Sequence, residues 1–106
     1  LNTKIHPNWN FGPYKRNCKK VIHMTKLFIK EWGNKKVNVV IKKNRKFHES
    51  KLLSLNISKA KRELNWEPKL SLEETVYFTV NWYKNFLSEG NVEETTNLQI
   101  EYFINK

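Results

Sequence analysis

The chain has no aspartate, one cysteine, three glycines and three prolines among its 106 residues. Cys18 alone can form neither an intrachain disulfide nor a cysteine-based zinc site. It reads as a buried or incidental thiol, and a reduced, cytoplasmic setting is the matching expectation. Gly12, Gly33 and Gly90 lie too far apart to form a Gly-rich phosphate loop. His6, His23 and His48 are scattered, with no i,i+4 pair and no aspartate to join them, so no metal site is expected. No apolar run approaches the roughly 20 residues that span a bilayer. No basic-then-apolar leader opens the chain, so no membrane partner is expected. Leu1 stands first instead of Met, which suggests a start inside a longer reading frame.

Arginine is also scarce. Only Arg16, Arg45 and Arg62 join 17 lysines. The net charge of +10 invites a nucleic-acid reading, but base edges and phosphate oxygens are best gripped by arginine. Residues 1–51 hold 14 basic and 2 acidic residues, giving +12; residues 52–106 hold 6 and 8, giving −2. Asparagine is enriched together with lysine, at 14 residues, which looks like a sequence-wide drift. Most of the positive charge therefore reads as solvated surface. A small basic nucleic-acid-binding module is the rival reading, and it predicts steeply salt-dependent binding to any polyanion.

What is present supports one domain at most. Apolar residues make up 39%, with four Trp, four Tyr and six Phe, too many for a disordered tail. A chain of this length buries roughly two-thirds of its unfolded surface, so the core is modest. Residues 8–11 read as a short strand ending at the Gly12-Pro13 turn. Residues 19–32 read as a helix, with Val21, Met24, Phe28 and Trp32 on one face and Gly33 as its stop. Residues 37–41 are a β-branched strand, and 42–51 a basic loop.

The run from Leu55 to Pro68 is the most diagnostic stretch. It predicts a short helix over about 58–64, with Asn56 or Ser58 as N-cap and Asn65 in the left-handed turn. Trp66 and Pro68 follow directly, and proline cannot continue a helix. Ser71 and Glu74 form a capping box that opens a helix to about Ser88. Its apolar stripe is Leu72, Val76, Val80, Tyr83 and Leu87, widened by Thr79, Trp82 and Phe86. Gly90 is expected to close it. Trp66, Trp82, Tyr83 and Phe86 are expected in the core. A last amphipathic helix is expected over 95–104.

These motifs carry a resemblance. In order they are Asn10-Phe11-Gly12-Pro13, a helix ending Trp32-Gly33, His48-Glu49, Leu55-Asn56-Ile57-Ser58-Lys59-Ala60, Leu64-Asn65-Trp66-Glu67-Pro68 and Thr79-Val80-Asn81-Trp82-Tyr83. The series resembles the C-terminal part of nucleotide-sugar dehydratases and epimerases, which are extended short-chain dehydrogenase/reductases. Asn-Phe-Gly-Pro and His-Glu narrow the likeness to the CDP-glucose 4,6-dehydratase group. It covers about residues 8–103. Asn56 departs from the group's usual Asp and Asn65 from its Gly; both are near equivalents in their turns. Phe47 stands where related enzymes often have Pro, which puts the local loop path in doubt.

The resemblance implies an α+β fold: a mainly helical substrate-binding lobe of a Rossmann-type α/β enzyme whose dinucleotide-binding domain is missing. Residues 1–106 would be a partial C-terminal substrate-binding domain. NAD would serve the full-length enzyme, a homodimer through that missing domain, and none would bind to this segment. The group's catalytic residues sit upstream of the region represented here, so no catalytic residue is expected. Substrate grip is expected instead, from Arg45, Lys46, His48 and Glu49. In related GDP-mannose dehydratases the residue at Glu49 binds the ribose diol and that at Lys46 faces the diphosphate. A carboxylate can accept two hydroxyl hydrogens, and a cation suits phosphate. An exposed loop of solvated charge fits the same residues equally well. Tyr102 and Lys106 match the family's catalytic Tyr-x-x-x-Lys spacing. That pair follows no dinucleotide fold and ends the chain, so it reads as a chance match.

Overall fold

The computed structural model describes residues 6–42 and 54–106. Among the described residues there are four α-helices: α1 (Val21–Trp32), α2 (Ser58–Leu64), α3 (Leu72–Leu87) and α4 (Val92–Asn105). A short 3-10 turn covers Lys15–Asn17. There is no strand among the described residues. The strands expected at 8–11 and 37–41 are not formed, which corrects the α+β expectation to a helical one. β-branched residues favour a strand only where a neighbour completes the ladder and packs on its face. Here Val40 and Ile41 are 75% and 71% exposed.

The described residues fall into two compact units. The first comprises 6–18 and 54–68, the second 19–42 and 69–106.

The first unit is organised by α2. A helix of seven residues is too short to persist alone, so its neighbours must hold it. Ile57 and Ala60 are buried. The Lys59 ammonium donates to the carbonyls of His6 and Asn8 at 2.6 and 2.8 Å. Trp9 Nε1 donates to Glu63 at 3.0 Å. Phe11 meets Trp66 edge-to-face with centroids 5.0 Å apart, so the extended N-terminal stretch is fastened at three points. Asn65 takes the left-handed conformation as expected, at φ 51° and ψ 36°. Asparagine tolerates that region better than most side chains, and Trp66 N–H then reaches back to the Ala60 carbonyl at 3.4 Å.

In the second unit α3 packs against both α1 and α4. The capping box is present: Glu74 N–H donates to Ser71 Oγ at 3.0 Å, and Ser71 N–H donates to Glu74 Oε1 at 3.1 Å. Val76 and Val80 are buried, at 2% and 3% exposure. The rest of the expected stripe is not. Tyr83, Phe86 and Leu87 are all more than half exposed, which corrects the assignment of Tyr83 and Phe86 to the core. Trp66 in the first unit and Trp82 here are only half-buried. α1 ends at Gly33, left-handed at φ 81°, as its sequence predicts. α3 ends differently from expectation. Glu89, not Gly90, takes the positive φ, at 57°. Gly90 is required for space, since a Cβ there would overlap the Asn85 side chain and lie 3.1 Å from its carbonyl oxygen.

Candidate functional site

Arg45, Lys46, His48 and Glu49 lie outside the described residues, so the expected substrate-gripping set has no geometry here. Asn56 Oδ1 accepts the Ser58 N–H at 3.0 Å. It shapes the turn into α2 without capping it, for Ile57 occupies the cap position and no side chain accepts there.

Among the described residues, besides the ion pairs Lys59–Glu63 and Lys61–Glu67, both at 3.8 Å, one group of three titratable side chains is drawn together, and it includes the pair that matches the catalytic spacing. Tyr102 Oη donates to Glu74 Oε2 at 2.7 Å. Lys106 Nζ donates to Glu74 Oε1. The i,i+4 spacing puts Tyr102 and Lys106 on one face of α4, and the capping box fixes Glu74 on α3. Lys106, then Tyr102, then the Ser71 backbone hold the Glu74 carboxyl at about 2, well below the usual carboxylate range. The same carboxylate pushes the Tyr102 phenol upward from its ordinary value. It also raises the Lys106 ammonium. A catalytic tyrosine needs the opposite, a phenol that gives up its proton near neutral pH. In this arrangement the trio ties α4 to the first turn of α3. The sequence shows Glu74 as a cap but not as the partner of a residue 28 positions away.

An open apolar cleft of about 430 Å³ runs along α3 and α4, lined chiefly by Phe78, Trp82, Tyr83, Ile100 and Phe103. Its lining holds no carboxylate, histidine, lysine or cysteine, and Tyr83 is its one ionisable side chain. No group of His, Cys, Asp or Glu among the described residues could hold a metal ion. No helix among them is long and apolar enough to cross a membrane. The glycines do not fit a dinucleotide either. Gly12 packs against Leu55 and Ile57, Gly33 ends α1, and Gly90 lies against Asn85. None opens a helix toward an empty cradle, so these residues do not fit NAD.

The chain is similar to two curated proteins. It is 32% identical over 84 residues to a CDP-glucose 4,6-dehydratase of Salmonella typhimurium, covering 79% of this chain and 23% of that one. It is 52% identical over 40 residues to a UDP-glucuronate 4-epimerase of Thermodesulfobacterium geofontis, covering 36% of this chain and 12% of that one. The chain thus spans less than a quarter of the length of either relative. No protein-family profile matches, and no solved structure does. The two relatives support kinship with the nucleotide-sugar dehydratases and epimerases, without singling out a member.

Proposed function

We propose that the chain is a C-terminal substrate-binding segment of a nucleotide-sugar 4,6-dehydratase that converts CDP-glucose to CDP-4-keto-6-deoxyglucose. The 84-residue similarity to a CDP-glucose 4,6-dehydratase carries this reading. It agrees with the order of the sequence motifs and with the helical architecture. In such an enzyme NAD takes up and returns a hydride at the sugar, and the dinucleotide domain that would hold it belongs to the remainder of the protein. This segment contributes grip. Glu49 accepts both hydroxyl hydrogens of the ribose diol, and Lys46 and Arg45 face the diphosphate, with His48 beside them. Dimerisation of the whole enzyme and a cytoplasmic location belong to the same proposal.

The test is made in the intact enzyme that contains this segment. Glu49→Ala raises KM for CDP-glucose about tenfold, the scale of a lost hydrogen bond to a charged group. It leaves kcat near its starting value, because the contact is the same in the ground and transition states. An unchanged KM removes Glu49 from the ribose.

A further inference from the structure

Four observations in the second unit converge on α4. Its ties to α3 are mostly side-chain hydrogen bonds spread along its length. Asn85 Nδ2 donates to Thr95 Oγ1. Trp82 Nε1 donates to Thr96 Oγ1 at 2.9 Å, and Gln99 Nε2 to the Phe78 carbonyl at 2.9 Å. Tyr102 and Lys106 complete the series on Glu74, where the Tyr102 ring also meets Phe78 edge-on at 5.2 Å. Second, Thr95 is the only buried residue of α4, while Leu98, Ile100 and Ile104 are 59%, 52% and 65% exposed. Water can replace such polar ties at small net cost, whereas a buried apolar seam resists parting. Third, the connection before α4 is strained, with Glu89 held at φ 57°. Fourth, the apolar cleft lies along the same pair of helices, with Phe78, Trp82 and Phe103 in its lining.

We propose that α4 is a strap that opens from α3 as a unit about Glu89–Gly90, with Glu74 as its latch. Opening lets Glu89 leave the left-handed region and exchanges the polar ties for water. It bares Phe78 and Trp82, whose exposure sets the opposing cost and keeps the closed state favoured. The balance is therefore a strained hinge and a polar seam against the cover of Phe78 and Trp82.

Hydrogen exchange on the full chain, read in peptides of α3 and α4, tests this. In the unmodified chain, amides of residues 96–104 exchange faster than those of residues 76–84. Glu74→Gln keeps a side chain that can complete the cap but removes the charge. It speeds exchange in α4 by up to about fivefold, the range of an exposed ion pair, with residues 76–84 unmoved. Glu89→Gly relieves the hinge and slows α4 by about two- to fivefold after the added freedom of glycine is counted. A common rate for the two helices, or equal shifts of both in the variants, overturns the strap. Should Glu74→Gln unfold the unit, Glu89→Gly decides: slowing confined to α4 supports it, and slowing shared with α3 overturns it.

Discussion

Asn65 shows how a single side chain sets a path. It sits at φ 51° with a Cβ, in a region that costs most residues about 1–2 kcal/mol. Replacing it with Gly keeps the turn open to the backbone. Replacing it with Ala keeps the strain and loses the greater tolerance of asparagine for this region. Asn65→Ala should therefore lower stability by about 1 kcal/mol, and Asn65→Gly by much less. Thermal unfolding of the three proteins side by side checks the order. Equal losses would mean that the turn does not depend on the residue at 65. The Lys59 ammonium is a second case. Its chemistry gives it donors, but nothing in the sequence says that two carbonyls more than 50 residues away will accept them.

Helix ends were the most legible elements, because their signals are local. Ser71 and Glu74, Gly33 and Asn65 announce their turns within four residues. The start of α4 was placed too late: the helix begins at Val92, three residues before the expected start at 95, behind Asn91, whose Oδ1 accepts the Glu94 N–H at 3.0 Å. Faces and partners were less legible. The stripe of α3 is apolar for four turns, yet only Val76 and Val80 are buried in it. Periodicity marks which side can be covered and not what covers it. The fastening of α4 to α3 has a definite pH signature. The Glu74 carboxyl is lowered from 4.5 to about 2, so the stability it lends is present above about pH 4.5 and is lost as pH falls toward 2. Tyr102 and Lys106 are raised from 10.0 and 10.5, so their share is present below those values and is lost as pH rises beyond them. The exchange rate of α4 should thus be flat across neutral pH, after correction for intrinsic exchange, and climb at both ends. A Glu74→Gln protein should lack the acid limb. An acid limb of undiminished size in that variant would place the titrating group elsewhere.

At the scale of the whole molecule, the buried apolar side chains among the described residues are few: Ile57, Ala60, Val76 and Val80. Two of them serve each compact unit. That is a thin interior beside the many exposed Val, Ile, Leu, Phe and Tyr side chains. The sequence conveyed the helical content and the kinship through local motifs. The strands it also suggested depend on ladder partners, which no local pattern specifies. The substrate grip proposed for Arg45, Lys46, His48 and Glu49 rests on their chemistry, and these residues lie outside the described ones. With three separated glycines, the 106-residue chain should give no heat on titration with NAD. A saturable NAD isotherm would overturn the proposal that cofactor binding lies outside this segment.

The Glu74 fastening also makes the number of residues between its two ends matter. α3 and α4 are joined covalently at one end, through 88–91, and non-covalently at the other, where the last residue meets the first turn of α3. Together they form a closed ring whose circumference is counted in residues. One residue added within α4 would rotate everything after it by about 100° and advance it by about 1.5 Å. Tyr102 and Lys106 would swing off the carboxylate together. Many substitutions on the outer face of α4 leave that count intact, whereas a single insertion or deletion changes it. The helix is therefore constrained in length more tightly than in composition.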